Sequence, residues 1–150
     1  MVCEAREAIA RAIHQGYQEN QVARKPPADV AMAPWEELPG HLQESCRRQA
    51  DHILEKLRQI GCTVDEGPES ATFTDAEIEL MAQLEHKRWL AERRLDGWQP
   101  GPRDVLAKTS PYFVSWAELP EEAREWDREA VRLIPEVLSQ VGLAIRRQVP

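Results

Sequence analysis

Apolar residues recur along this chain at steps of three and four, in four runs separated by clusters of proline, glycine and polar residues. That period is the signature of amphipathic helices, not of half-buried strands. The first run covers 4–20, with Ile9, Ile13, Gly16 and Tyr17 on one face and Arg6, Glu7, Arg11 and Gln18 elsewhere. A loop with Pro26 and Pro27 follows, then Pro34 and the turn Trp35-Glu-Glu-Leu-Pro39. The second run covers about 40–60, striped by Leu42, Cys46, Ala50, Ile53, Leu54, Leu57 and Ile60, with Gly61 where a left-handed cap belongs. Cys62 to Val64 reads as a short extended piece, and the polar stretch from Asp65 to Phe73 as a linker. Thr74 and Glu77 form a capping-box pair that predicts a third helix from about 75 to 95, stopped by Gly97. The long loop 97–115 carries Pro100, Pro102 and Pro111, and Trp116-Ala-Glu-Leu-Pro120 leads into the fourth run. Pro135 should kink or split that helix, because its ring displaces the preceding carbonyl. Gly142 caps it, and Leu143 to Ile145 reads as a second extended piece.

The halves of the chain match in order. His14 and Tyr17 parallel His86 and Trp89 at an offset of 72 residues, while Trp35-Glu-Glu-Leu-Pro39 and Gly61 parallel Trp116-Ala-Glu-Leu-Pro120 and Gly142 at an offset of 81. The second half therefore carries nine extra residues, which accommodate Gly97-Trp-Gln-Pro-Gly-Pro102. The expected architecture is mainly α: two pseudo-symmetric helical repeats of two long helices each, with short β pieces, packed as one compact unit. The repeats are expected at 1–66, degenerate, and 75–150, with 67–74 linking them. Halves this small bury little surface alone, so they are expected to pack face to face.

Composition narrows the chemistry. With 42% hydrophobic and 30% charged residues the chain is globular in type. Its net charge is −7, with 8 basic against 12 acidic residues in 1–70 and 11 against 14 in the rest. Neither half is basic, so a nucleic-acid polymer is not an expected partner. Cys3, Cys46 and Cys62 are odd in number and widely spaced, which suits a reducing cytoplasm better than a disulfide framework. No apolar h-region opens the chain and no apolar run is long enough for a bilayer, so neither a signal peptide nor a membrane is expected.

The second half resembles the repeat domain of ryanodine receptors, a family that also occurs in bacterial and phage proteins. The resemblance is carried by Leu84-Glu-His-Lys-Arg-Trp-Leu-Ala-Glu-Arg-Arg-Leu-Asp-Gly-Trp-Gln-Pro-Gly-Pro102, Lys108-Thr-Ser-Pro111, Ser115-Trp-Ala-Glu-Leu-Pro-Glu-Glu122 and Asp127-Arg-Glu-Ala-Val131. It covers about 75–147. Residues of about 5–64 resemble the degenerate partner repeat of prokaryotic members, through Pro34-Trp-Glu-Glu-Leu-Pro39 and Gln43-Glu-Ser45, but lack the Gly-Trp-x-x-Gly-Pro loop. Ser110-Pro111 stands where the family usually has His-Pro. The resemblance implies a paired-repeat helical fold and a non-enzymatic module that needs no cofactor. It also implies a small nucleotide-like ligand, adenine nucleotides being among those such paired modules hold. For prokaryotic members it implies sensing of nucleotide-derived signals in settings such as phage defence.

Candidate ligand residues follow, each with a structural alternative. Tyr17 and Trp89 could sandwich a planar base if the two first helices face each other, or serve as core at that contact. Arg93, one turn after Trp89, could meet a phosphate, or be a cation favoured by the helix dipole. Lys108 in the long loop is a second phosphate candidate. His14 and His86 either line the pocket or bond backbone groups within their repeats; a metal would need further ligands, and none is expected. Trp98 is pocket wall or loop anchor, while Trp35 and Trp116 are expected to plug the core. The alternative function is a protein-interaction module docking through loop 97–114, with no small-molecule ligand. No nucleophile–base set points to an enzyme.

Overall fold

The computed structural model describes residues 3–21 and 30–148, and it is mainly helical. The loop expected from Asn20 to Ala33 lies largely outside the described residues. No helix among them is long and apolar enough to cross a membrane.

Helix α1 (Cys3–Gln21) and helix α2 (Gly40–Gln59) pack on each other. Ala10 of α1 and Cys46 of α2 close on Trp35 and Leu38, with Ile13 and Leu42 at the edge of the cluster. Two ion pairs tie the helices at their polar margins: Arg6 grips Asp51 at 2.9 and 3.0 Å, and Arg47 grips Glu7 at 2.8 and 3.1 Å. Gly61, with φ of +74°, ends α2 as expected and turns the chain into strand β1 (Cys62–Glu66).

Helix α3 (Asp75–Leu95) starts on the predicted capping box. The Thr74 hydroxyl accepts from the Glu77 amide at 3.2 Å, and the Glu77 carboxylate accepts from the Thr74 amide at 2.8 Å. Loop 97–115 contains a small parallel pair, β2 (Gln99–Pro100) with β3 (Thr109–Ser110). Helix α4 (Glu121–Arg132) then packs on α3, and Arg128 joins it to Glu79 at 2.8 and 3.3 Å. Pro135 does divide the fourth run: α4 stops at Arg132, and a separate helix α5 (Ile134–Ser139) carries the proline in its first turn, where no backbone donor is needed.

Strand β4 (Leu143–Arg147) pairs antiparallel with β1, Val64 opposite Ile145. The amide and carbonyl of Ile145 both turn away from β1, to the Ser70 hydroxyl at 2.9 Å and the Ala71 amide at 2.8 Å. Val64 and Ile145 are thus a non-hydrogen-bonded pair of the ladder. The stretch expected to be a plain polar linker therefore runs as a bonded flank of β4, with Arg147 also donating to the Thr72 carbonyl at 2.7 Å.

By their contacts the residues divide into two compact units, one of residues up to Thr72 with Leu133 onward, the other Phe73–Arg132. This division cuts through the segment 75–150 expected as one repeat. The apolar stripe of the fourth run is shared out accordingly. Ile134, Val137 and Leu138 of α5 are buried in the first unit, while Ala123 and Val131 of α4 serve the second. Gly16 lets α1 come close to Leu133, whose methyl lies only 3.2 Å from where a Cβ would stand.

Ile145 is fully buried and Thr63, on the facing strand, is exposed. Ile145→Ala should cost about 2–5 kcal/mol and lower the urea midpoint followed by circular dichroism. Thr63→Ala should stay within about 0.5 kcal/mol of the parent.

Candidate ligand site

The C-terminal end of α3 is shaped by Gly97, whose φ of +86° closes a Schellman turn. The Trp98 amide donates to the Arg93 carbonyl at 3.0 Å and the Gly97 amide to the Arg94 carbonyl at 3.1 Å. This turn folds Trp98 back over the helix end. The guanidinium carbon of Arg93 lies 5.0 Å from the Trp98 ring centre and 5.6 Å from that of Trp89, so one cation rests on two indoles.

Trp89 is itself held on several sides. His86, one turn earlier, stacks on it at 5.9 Å and 15°, and Phe113 tilts against it at 6.1 Å. His86 is buried and its Nε2–H donates to the Val114 carbonyl at 2.6 Å. The carbonyl can only accept, so that nitrogen carries the proton. Nδ1 faces Asp127 at 3.8 Å, and Trp116 leans on the imidazole at 6.2 Å. Arg124 and Arg128 in turn cover Trp116 at 5.6 and 5.7 Å. A ladder of rings and cations therefore runs from α4 through His86 and Trp89 to Arg93 and Trp98.

The first unit contains the same local arrangement up to Tyr17. His14, also buried, donates to the Ala33 carbonyl at 2.6 Å, stacks on Tyr17 at 6.4 Å and 20°, and meets Trp35 at 6.1 Å. Arg11 and Arg47 lie over Trp35 at 5.8 and 5.7 Å. One turn beyond Tyr17 stands Gln21, not an arginine, and no Gly-Trp loop follows it. Both histidines thus bond a backbone carbonyl from inside their own units, the structural alternative raised for them from sequence.

Lys108 sits at a φ of +56°, uncommon for a side-chain-bearing residue. Its ammonium donates to the Asp96 carbonyl at 2.8 Å and meets the Asp96 carboxylate at 3.4 Å. It pins the loop to the helix end and satisfies a terminal carbonyl. Asp96 also accepts from the Trp98 indole at 3.2 Å. The indole first, then Lys108, hold the Asp96 carboxyl below its ordinary range. Neither Asp96 nor Phe113 was singled out from sequence. The position of Asp96 just before the capping Gly97 was the readable signal for the first, and the aromatic pair Tyr112-Phe113 in a polar loop for the second.

Arg88 has a different role. Burial works against its charge, and the carboxylates of Glu85 and Glu92 overcome this at 2.6–2.8 Å, leaving its pKa raised. Arg94 lies over Phe113 at 5.5 Å. The guanidinium groups of Arg93, Arg94 and the exposed Arg103 donate no hydrogen bond to any described residue, whereas those of Arg6, Arg11, Arg47, Arg58, Arg88, Arg124, Arg128 and Arg132 each reach a carboxylate.

A family model, the RyR domain, matches residues 72–147, half of the chain. The chain belongs to the RyR domain family. The RyR match runs from the flank of β4 through α3, the Gly97-Trp98 loop, α4 and α5 to the end of β4. It therefore includes the whole His86–Trp98 ladder. No curated protein matches the chain.

The lowered Asp96 pKa fixes the sign of a pH effect: the latch holds above the ordinary aspartate range of about 3.9 and opens as pH falls through the lower folded value. Asp96→Asn removes the charge at neutral pH. Hydrogen exchange at the Gln99 and Gly101 amides, which bond the Lys108 and Ser110 carbonyls, should then accelerate while the Ala71 amide is unchanged.

Proposed function

We propose that this RyR domain protein is a non-enzymatic binding module for a small nucleotide-like anion, with Arg93 as its principal cation and Trp89 and Trp98 as the walls that orient it. The reading is carried by one observation: in a chain of net charge −7, the described arginines whose side chains reach no acceptor are Arg93 and Arg94 at the end of α3 and Arg103 in the loop that follows it. A helix C-terminus favours cations whatever they bind. That preference does not explain why acids pair with the arginines of α1, α2 and α4 and leave this end open. Asp96, the acid beside the site, is engaged by the Trp98 indole and Lys108.

Tandem repetition belongs to the same proposal. The duplicated His–Trp–Arg arrangement supports two RyR-like repeats, of which the second adds the arginine and the Gly-Trp loop. An adenine-containing signal in a cytoplasmic, phage-defence setting is the biological form we favour, on the family resemblance.

A second reading has its own support. Leu95, Val105 and Leu106 are 86%, 67% and 97% exposed near this end of the unit, an apolar tip suited to docking a protein through loop 97–114.

Calorimetric titration with ADP, ADP-ribose and a cyclic adenine nucleotide separates the two. The ligand reading predicts saturable binding by at least one of them, weakened roughly ten- to hundred-fold by Arg93→Gln, since charge-assisted hydrogen bonds are worth about 1.5–3 kcal/mol. Leu106→Ser should leave that binding intact. No binding by any of the three would sink the ligand reading and favour docking.

A further inference from the structure

We infer, resting on the ligand reading above, that the site recognises the phosphoryl end of its ligand through Arg93 and does not read the base. The sequence pattern suggested Trp89 as a base platform. In the structure its surroundings are already taken: His86 is stacked on it, the Arg93 guanidinium lies over it, and Phe113 tilts against it. A base stacking on Trp89 would have to displace His86, which is fastened to Val114, or Arg93, which is the cation that draws the ligand in. Trp98 likewise spends a face on Arg93, and its indole N–H is held by Asp96.

The two indoles therefore act as walls. They limit approach to the guanidinium to the side they leave uncovered. They also shield it from water, which strengthens a charge-assisted contact made there. A guanidinium offers N–H donors in a planar fork that matches two oxygens of one phosphoryl group. Arg94, next in the helix and lying over Phe113, adds charge at the same helix end. That charge suits a ligand bearing two or more negative charges, such as a pyrophosphate or a nucleoside diphosphate, whichever base it carries.

The test is calorimetry on the full chain with four probes: inorganic pyrophosphate, ADP, GDP and adenosine. Pyrophosphate, ADP and GDP should bind with affinities closer than the roughly five-fold or more that a stacked base would add, and adenosine should not bind. Arg93→Lys, which keeps the charge and loses the fork, should weaken all three anions about ten-fold or more. Trp98→Leu should weaken pyrophosphate and ADP by the same factor, because the ring orients Arg93. Adenosine binding, or Trp98→Leu weakening ADP alone, would overturn this inference and leave the ligand reading standing. Failure of all four probes to bind would overturn this inference, and the ligand reading with it only if ADP-ribose and the cyclic adenine nucleotide also fail.

Discussion

The buried hydrogen bond from His86 to the Val114 carbonyl is the contact on which the second unit's organisation hangs. It reaches from the middle of α3 to the end of the long loop, across 28 residues of sequence. A lost partner there would leave a buried polar group unsatisfied, at a cost of about 1–3 kcal/mol. The same imidazole sets the positions of Trp89 on one side and Trp116 on the other. Through Trp89 it reaches Arg93, and through Trp116 the arginines of α4. His14 makes the equivalent bond in the first unit, so the fold uses this device twice.

Electrostatics distinguishes scaffold from site. The Arg128–Glu79 and Arg47–Glu7 pairs stand at the helix contacts with both partners partly shielded, whereas exposed pairs such as Arg58–Glu55 contribute little. Arg88 is buried between two carboxylates and is committed to α3. Arg93, five residues on, has rings for neighbours and no carboxylate bonded to it; Asp96 feels its charge but bonds the Trp98 indole and Lys108. Guanidinium over indole keeps the side chain ordered without neutralising it. An ordered, un-neutralised cation loses less freedom on binding an anion than a surface lysine would.

Much of the fold was legible because its punctuation is local. The Thr74–Glu77 box, the glycines at 61, 97 and 142, and Pro135 each act within a turn of helix, and all do what their chemistry requires. What was not legible depends on distant partners. Cys62 to Val64 and Leu143 to Ile145 could be read as extended, yet nothing in either stretch said that they pair with each other. The 65–73 stretch looked like slack because it is polar; its backbone is instead bonded along β4. The stripe through α4 and α5 is continuous in sequence, and only the break at Pro135 lets its two parts serve different units.

The candidate site was half legible in the same sense. Trp89, Arg93 and Trp98 could be picked out from the run His86 to Pro102, and the Schellman turn at Gly97 explains why they meet. That Trp89 would be enclosed by His86 and Phe113, and that Lys108 would fasten to Asp96 instead of standing open, are facts of side-chain packing that periodicity does not encode. One turn beyond Tyr17 the chain has Gln21, whereas one turn beyond Trp89 it has Arg93.

The central claim, that Arg93 is a poised and un-neutralised anion receptor, is tested most directly by nitrogen–proton spectroscopy of the arginine Nε–H groups during addition of pyrophosphate at constant ionic strength. Arg93 should shift and saturate, the Trp98 indole N–H should move with it, and the buried Arg88 should remain still. Shifts that never saturate, or that fall equally on all exposed arginines, would contradict the claim.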